Sequence, residues 1–117
     1  MISYERKLAR VLDVMGGLYT VGDLVWAVKE GRMQAFGVNN SVAFTVVQQY
    51  PRAKKLQVVA LAGDMEDGEK LHDKVVRYAD QENCGLIQAY GRLGWMPQAR
   101  DHGWRVKAKS WLYQKDM

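Results

Sequence analysis

Apolar positions early in the chain recur at helical spacing. Leu8, Val11, Leu12 and Met15 fall at i, i+3, i+4 and i+7. That stripe predicts a helix over residues 3–15, with Ser3 to cap its start and Gly16-Gly17 to stop it. A second helix is predicted from Thr20, which stands three residues before Asp23 in a capping-box relation; it carries Leu24, Val25 and Val28 and ends at Gly31. The period then changes. Residues 33–38, 41–50 and 55–61 are rich in Val, Phe and other strand formers, and they are divided by Asn39-Asn40 and by Pro51. Asparagine tolerates the positive φ of a tight hairpin, so three consecutive antiparallel strands are expected.

Residues 67–82 place Leu71, Val75, Tyr78 and Ala79 on one helical face. A short apolar run over 86–90 is bounded like a buried strand, after the turn Asn83-Cys84-Gly85. A fourth helix is predicted over 93–101, with Pro97 tolerable in its first turns and Gly103 closing it. A last strand over 104–114 finishes the chain. The predicted order is α-α-β-β-β-α-β-α-β in a single domain spanning residues 1–117, an α/β or α+β fold with a mixed sheet. Its strand-helix-strand unit, 55–90, should hold two parallel strands joined by a right-handed crossover, with a crevice at their carboxyl ends.

Composition narrows the class without naming a function. The chain has 117 residues, enough to bury a core without staples, and 48% of them are apolar. The start, MISYERKLAR, is charged from Glu5 onward and does not read as a signal peptide. No apolar run approaches the length of a membrane span. A single cysteine, Cys84, excludes an internal disulfide and makes a reducing cytoplasm the default expectation. The net charge of +4 permits a polyanionic partner without demanding one. His72 and His102 lack metal-ligand spacing with Cys84, no Ser/His/Asp set can be assembled, and there is no P-loop or dinucleotide fingerprint, so no metal site is expected.

The least ordinary stretch is YGRLGWMPQARDHGW, residues 90–104, in which two Gly-Trp pairs frame a short segment. With the element order, this stretch resembles the GNAT family of N-acetyltransferases. Many of its members have a polar residue after the fifth strand, then a short helix, then Gly-Phe or Gly-Trp opening the sixth strand. Here that spacing runs from Arg92 to Gly103-Trp104. The chain begins at the two helices, one strand later than the family usually does. GLIQAYGRLGWMPQARDHGW, preceded by LQVVALAGDMEDGEKL, more narrowly resembles small GNAT-like proteins encoded by tailed bacteriophages. That likeness implies the host cytoplasm, or packaging in the virion, as the location. Trp95 and Trp104 are expected to clamp the short helix onto the core.

The resemblance implies acetyl-CoA as cofactor, bound where the parallel strands part, with its pyrophosphate on backbone N–H groups at the start of the third helix. On this chain it would be held by Leu61, Ala62, Gly63, Gly68, Glu69 and Arg92. The family's loop pattern Q/R-x-x-G-x-G/A reads AGDMEDGEKL here, without the leading Arg or Gln and without the glycine pair. Asp64, Glu66, Asp67 and Glu69 crowd that helix end. Such carboxylates are expected to cap the helix and complement its dipole, taking the donors a pyrophosphate would use. Where many relatives place a proton-donating tyrosine, the spacing falls on Ala99. Tyr90 is then the candidate acid, and Glu66, or Asp64, the candidate base.

Three roles follow from these readings. The first is a phage GNAT-fold protein that has lost acyl transfer and binds another protein, of the virion or of the host. The second is an active acetyl-CoA-dependent N-acetyltransferase acting on a host or phage amine. The third is nucleic-acid binding through Arg105, Lys107 and Lys109, which alternate with Val106 and Ala108 along the last predicted strand and lead to Trp111 and Tyr113. The same basic stripe equally suits an edge strand guarded against edge-to-edge pairing. No membrane partner is expected.

Overall fold

A computed structural model describes residues 5–14, 16–90, 101, 103–108 and 112–117. The two opening helices are α1, Glu5–Val14, and α2, Val21–Lys29. At the start of α2 the Thr20 hydroxyl accepts from the Asp23 N–H at 3.1 Å, and the Asp23 carboxylate accepts from the Thr20 N–H at 2.9 Å. The capping box that the Thr20–Asp23 spacing predicts is thus formed in full, satisfying two backbone donors reciprocally. Strands β1, Gln34–Val38, β2, Ser41–Gln49, and β3, Lys54–Ala62, follow as an antiparallel run. Asn39 takes the positive φ of the β1–β2 turn, at 50°. A 3-10 turn at Met65–Asp67 leads into α3, Gly68–Gln81, and then β4, Leu86–Tyr90. The chain ends in β5, Arg105–Ala108, and β6, Leu112–Asp116.

These strands form one six-stranded mixed sheet in the order β1-β2-β3-β4-β6-β5. Strands β3 and β4 are parallel neighbours, registered from Lys55↔Leu86 to Val58↔Ala89, with α3 joining them as the strand-helix-strand spacing predicts. Leu8 and Leu12 of α1 and Leu24 of α2 pack on Val42, Phe44, Ala60 and Ala62 on one face of the sheet. Leu71, Val75 and Ala79 of α3 pack with Ala43, Leu56 and Ile87 on the other. Among the described residues no helix is long and apolar enough to cross a membrane.

One irregularity positions the crevice. Phe44 pairs with Ala60 while Thr45 pairs with Val58, so Val59 has no residue opposite it. The bulge turns Val59 and Ala60, consecutive residues, toward the α1–α2 face, whereas Val58 and Leu61 pack on the α3 side. A bulge raises local twist and bends its strand. The β3–β4 ladder stops at Val58↔Ala89, beside that bend, and Val59–Ala62 continue without a β4 partner among the described residues.

The end of the chain corrects an expectation. The single strand predicted over 104–114 is a hairpin instead: β6 folds back antiparallel to β5 and inserts between it and β4. One unbroken strand of that length would outrun a sheet whose other strands have five to nine residues. Folding back pairs β4 along its whole length. The observed order of described elements is therefore α-α-β-β-β-α-β-β-β. The helix predicted over 93–101 falls, except for Asp101, outside the described residues.

Trp104 docks on α3. Its indole N–H donates to His72 Nε2 at 2.9 Å, and it packs against the cluster around Leu71 and Ile87. Trp95, its expected companion in clamping the short helix, lies outside the described residues.

Candidate functional site

The carboxyl ends of β3 and β4 meet the start of α3, and the loop between β3 and α3 carries most of the candidate residues. Leu61 and Ala62 point their side chains into the two cores, so only their backbone is available to a ligand. Gly63 follows with φ 139°, a conformation that side chains rarely adopt. A Cβ on Gly63 would lie 2.1 Å from Ser41 Oγ and 2.4 Å from Ser41 Cα. This glycine does permit a close approach, and what approaches is Ser41. The Ser41 hydroxyl accepts the Asp64 N–H at 2.8 Å and donates to Asp67 Oδ2 at 2.6 Å.

The acidic residues are arranged differently from the sequence expectation. Neither Asp64 nor Asp67 caps a helix with its side chain. Asp67, only 4% exposed, turns back to the β1–β2 hairpin, where Ser41 and Asn39 donate to it, the latter at 2.9 Å. Those hydrogen bonds, from Ser41 first and then Asn39, hold its carboxyl below the usual carboxylate range. Asp64 pairs with Lys7 of α1. Folded this way, the loop ties α1 and the β1–β2 hairpin to the start of α3. The amides are not taken by Asp64 or Asp67 side chains, which corrects that part of the expectation. The Asp64 N–H is taken instead, by Ser41.

Glu66 and Glu69 remain exposed at this end. Glu66 lines an open depression of about 630 Å³ with Asn39, Asn40, Asp64, Asp67 and Lys70. Three carboxylates against one lysine make it a poor receptor for an anion. Gly68, the second candidate glycine, has an ordinary helical backbone, with φ −58°, and a Cβ there would meet nothing within 4 Å. Tyr90 closes β4 at the same end of the sheet as Glu66, and its side chain lies outside the described ones. Arg92 and Ala99 also lie outside the described residues. Sequence reasoning missed Ser41, Asn39 and Lys7, the residues that organise the loop. Their contacts cross between elements and leave no local spacing to detect.

The basic stripe is broken by the terminal hairpin. Arg105 pairs across to Gln114, so Tyr113 occupies the opposite face and is buried. The Arg105 guanidinium is held by Asp116. Lys107 lies in β5 with its side chain outside the described ones, and Lys109 and Trp111 are outside them altogether. On the face shared with Arg105, Lys55 Nζ donates to Gln88 at 3.2 Å, Gln88 to Gln114 at 2.7 Å, and Gln114 to Asp116 at 2.8 Å. This chain of amides is satisfied from one strand to the next.

Cys84 is buried behind α3, and burial pushes its thiol up, toward the neutral form that is a poor nucleophile. Among the described residues no cluster of three His, Cys, Asp or Glu side chains could hold a metal ion. No protein-family model matches the chain, and no curated protein does either.

Proposed function

We propose that this chain is a GNAT-fold protein of the kind tailed bacteriophages encode, and that it works by binding another protein, of the virion or of the host, rather than by transferring an acetyl group. The observation that carries the reading is the contact of Gly63 with Ser41. In the family's loop, glycines leave room for a pyrophosphate at the helix start; here the room beside Gly63 is filled by Ser41, whose oxygen also takes the Asp64 N–H. Glu66 and Glu69 add charge of the wrong sign. Ala99, at the position of the expected proton donor, agrees with this.

The alternative, an acetyl-CoA-dependent N-acetyltransferase, has one specific observation in its favour. The parallel strands part after Val58 and Ala89, with α3 beginning beyond the end of β3, as a bound acyl-CoA would require. Nucleic-acid binding is weakened, since Arg105 is already paired with Asp116.

Calorimetric titration with acetyl-CoA separates the two main readings. Each charge-assisted hydrogen bond denied to the pyrophosphate costs about 1.5–3 kcal/mol, or one to two orders of magnitude in affinity. No binding is expected below about 1 mM. Micromolar affinity would restore the acetyltransferase.

A further inference from the structure

The two ends of the β1–β2 hairpin carry complementary surfaces. Among the described residues, four of the seven exposed large apolar side chains are Leu18, Tyr19, Val25 and Trp26. Such clustering, rather than single exposed residues, marks an interaction surface. Leu18 is 80% exposed and Trp26 56%. With Tyr19, Met33 and Arg32 these two line a depression of about 470 Å³. The Arg32 guanidinium lies 4.7 Å from the Trp26 ring centroid and has no ion pair among the described residues. The one carboxylate in that lining, Asp23, is committed to the Thr20 N–H.

At the other end stands a side chain with matching chemistry. Met65 in the 3-10 turn is 66% exposed, and the exposed Glu66 next to it has no ion pair among the described residues. Its acidic neighbours Asp64 and Asp67 are engaged by Lys7 and Ser41. Among the described residues, an apolar knob thus sits beside the exposed Glu66 and Glu69, and an apolar socket beside Arg32, none of the three in an ion pair. A methionine suits an irregular socket walled by aromatics, because its thioether is flexible and favours contact with rings. Tryptophan, tyrosine and arginine are the residues most often found at the centre of such contacts.

We infer that this chain associates with a second copy of itself head to tail, Met65 entering the depression at Trp26 and Glu66 meeting Arg32. The socket is lined by Met33, just before β1, and the depression beside the knob is lined by Asn39, just after it. The five residues of β1 lie between them, a separation of about 20 Å at 3.3 Å per residue step. One copy therefore cannot satisfy itself. Each copy carries one knob and one socket, so the contact either closes as a reciprocal two-fold pair or runs on into rings or filaments.

A single knob and socket belongs with small transient interfaces, below about 1,200 Å². Sedimentation velocity on the whole chain is therefore run up to about 1 mM, where contacts of millimolar affinity become populated. Concentration-dependent association is expected, weakened about tenfold or more by Arg32→Glu or Glu66→Arg alone, the loss of about 1.4 kcal/mol or more. An equimolar mixture of the two variants should regain it, since each reversed end then meets its complement. Both positions are exposed, and circular dichroism of each variant checks its fold. A wild-type chain that stays monomeric throughout overturns the inference and leaves the socket to a different protein. Association that survives either reversal, or that mixing does not restore, overturns it as well.

Discussion

Replacing Gly63 by alanine tests whether the loop is knit into the fold or left open for a ligand. The new Cβ would fall 2.1 Å from Ser41 Oγ and 2.4 Å from both Ser41 Cα and Cβ. A hydroxyl alone could rotate out of the way, but Cα belongs to β2, where Ser41 is registered against Val38. Holding alanine at φ 139° costs about 1–3 kcal/mol. Forcing the backbones apart adds about 1–3 kcal/mol of overpacking. The sum is about 2–6 kcal/mol, a large part of the roughly 5–15 kcal/mol typical of a whole domain. Gly68→Ala is the internal control. Its φ of −58° is helical and nothing lies within 4 Å, so alanine there should stabilise by about 0.4–1 kcal/mol. Equilibrium urea unfolding, followed by tryptophan fluorescence, measures both. If Gly63→Ala unfolds within about 0.5 kcal/mol of wild type, the close contact with Ser41 is wrong, and the case against a pyrophosphate in that loop goes with it.

Two smaller tests address the elements around the site. Thr20→Ala removes the side-chain half of the capping box and should cost about 1 kcal/mol in the same urea assay; no change would mean that α2 is held by Leu24 and Ala27 alone. Asp67 has a folded pKa below its unfolded one, so its contribution is complete above the unfolded value of about 3.9 and disappears as pH falls through the folded value. Wild type should therefore lose stability in acid more steeply than Asp67→Asn, the two curves converging at low pH; parallel curves would refute the hydrogen-bonded carboxylate.

Local patterns foretold the elements that local chemistry decides. The Thr20–Asp23 spacing, the Asn39-Asn40 turn and the Leu71/Val75/Ala79 stripe each depend on neighbours a few residues away. The parallel β3–β4 pair was legible for a related reason, since a helix between two apolar runs leaves the chain few ways to return. The terminal hairpin was not legible. Its alternation of basic and apolar residues runs through 104–114 without a glycine or proline to announce the turn. What decides the arrangement is the pairing of β6 with both β4 and β5, contacts made with other parts of the sheet. The bulge at Val59 was hidden for the converse reason: in the run VVALA two consecutive residues can face one core when both cores accept apolar side chains.

The acidic loop shows how one sequence feature can support opposite functions until its partners are known. A glycine before a helix signals that something comes close to the backbone; it does not say whether that is a phosphate or another part of the same chain. Likewise, four carboxylates at a helix start are compatible with capping, with repulsion of an anion or with contacts made elsewhere. Here Asp67 reaches back to Ser41 and Asn39, and Asp64 reaches across to Lys7. Two of the four charges thereby join α1, the β1–β2 turn and the start of α3 into one corner. That leaves Glu66 and Glu69 facing outward with Met65 between the anchored aspartates, where a protein surface can meet them. A loop built to receive a small anion keeps its backbone donors open and its charge positive. This loop closes the Asp64 donor onto Ser41, presents negative charge and exposes the large apolar side chain of Met65.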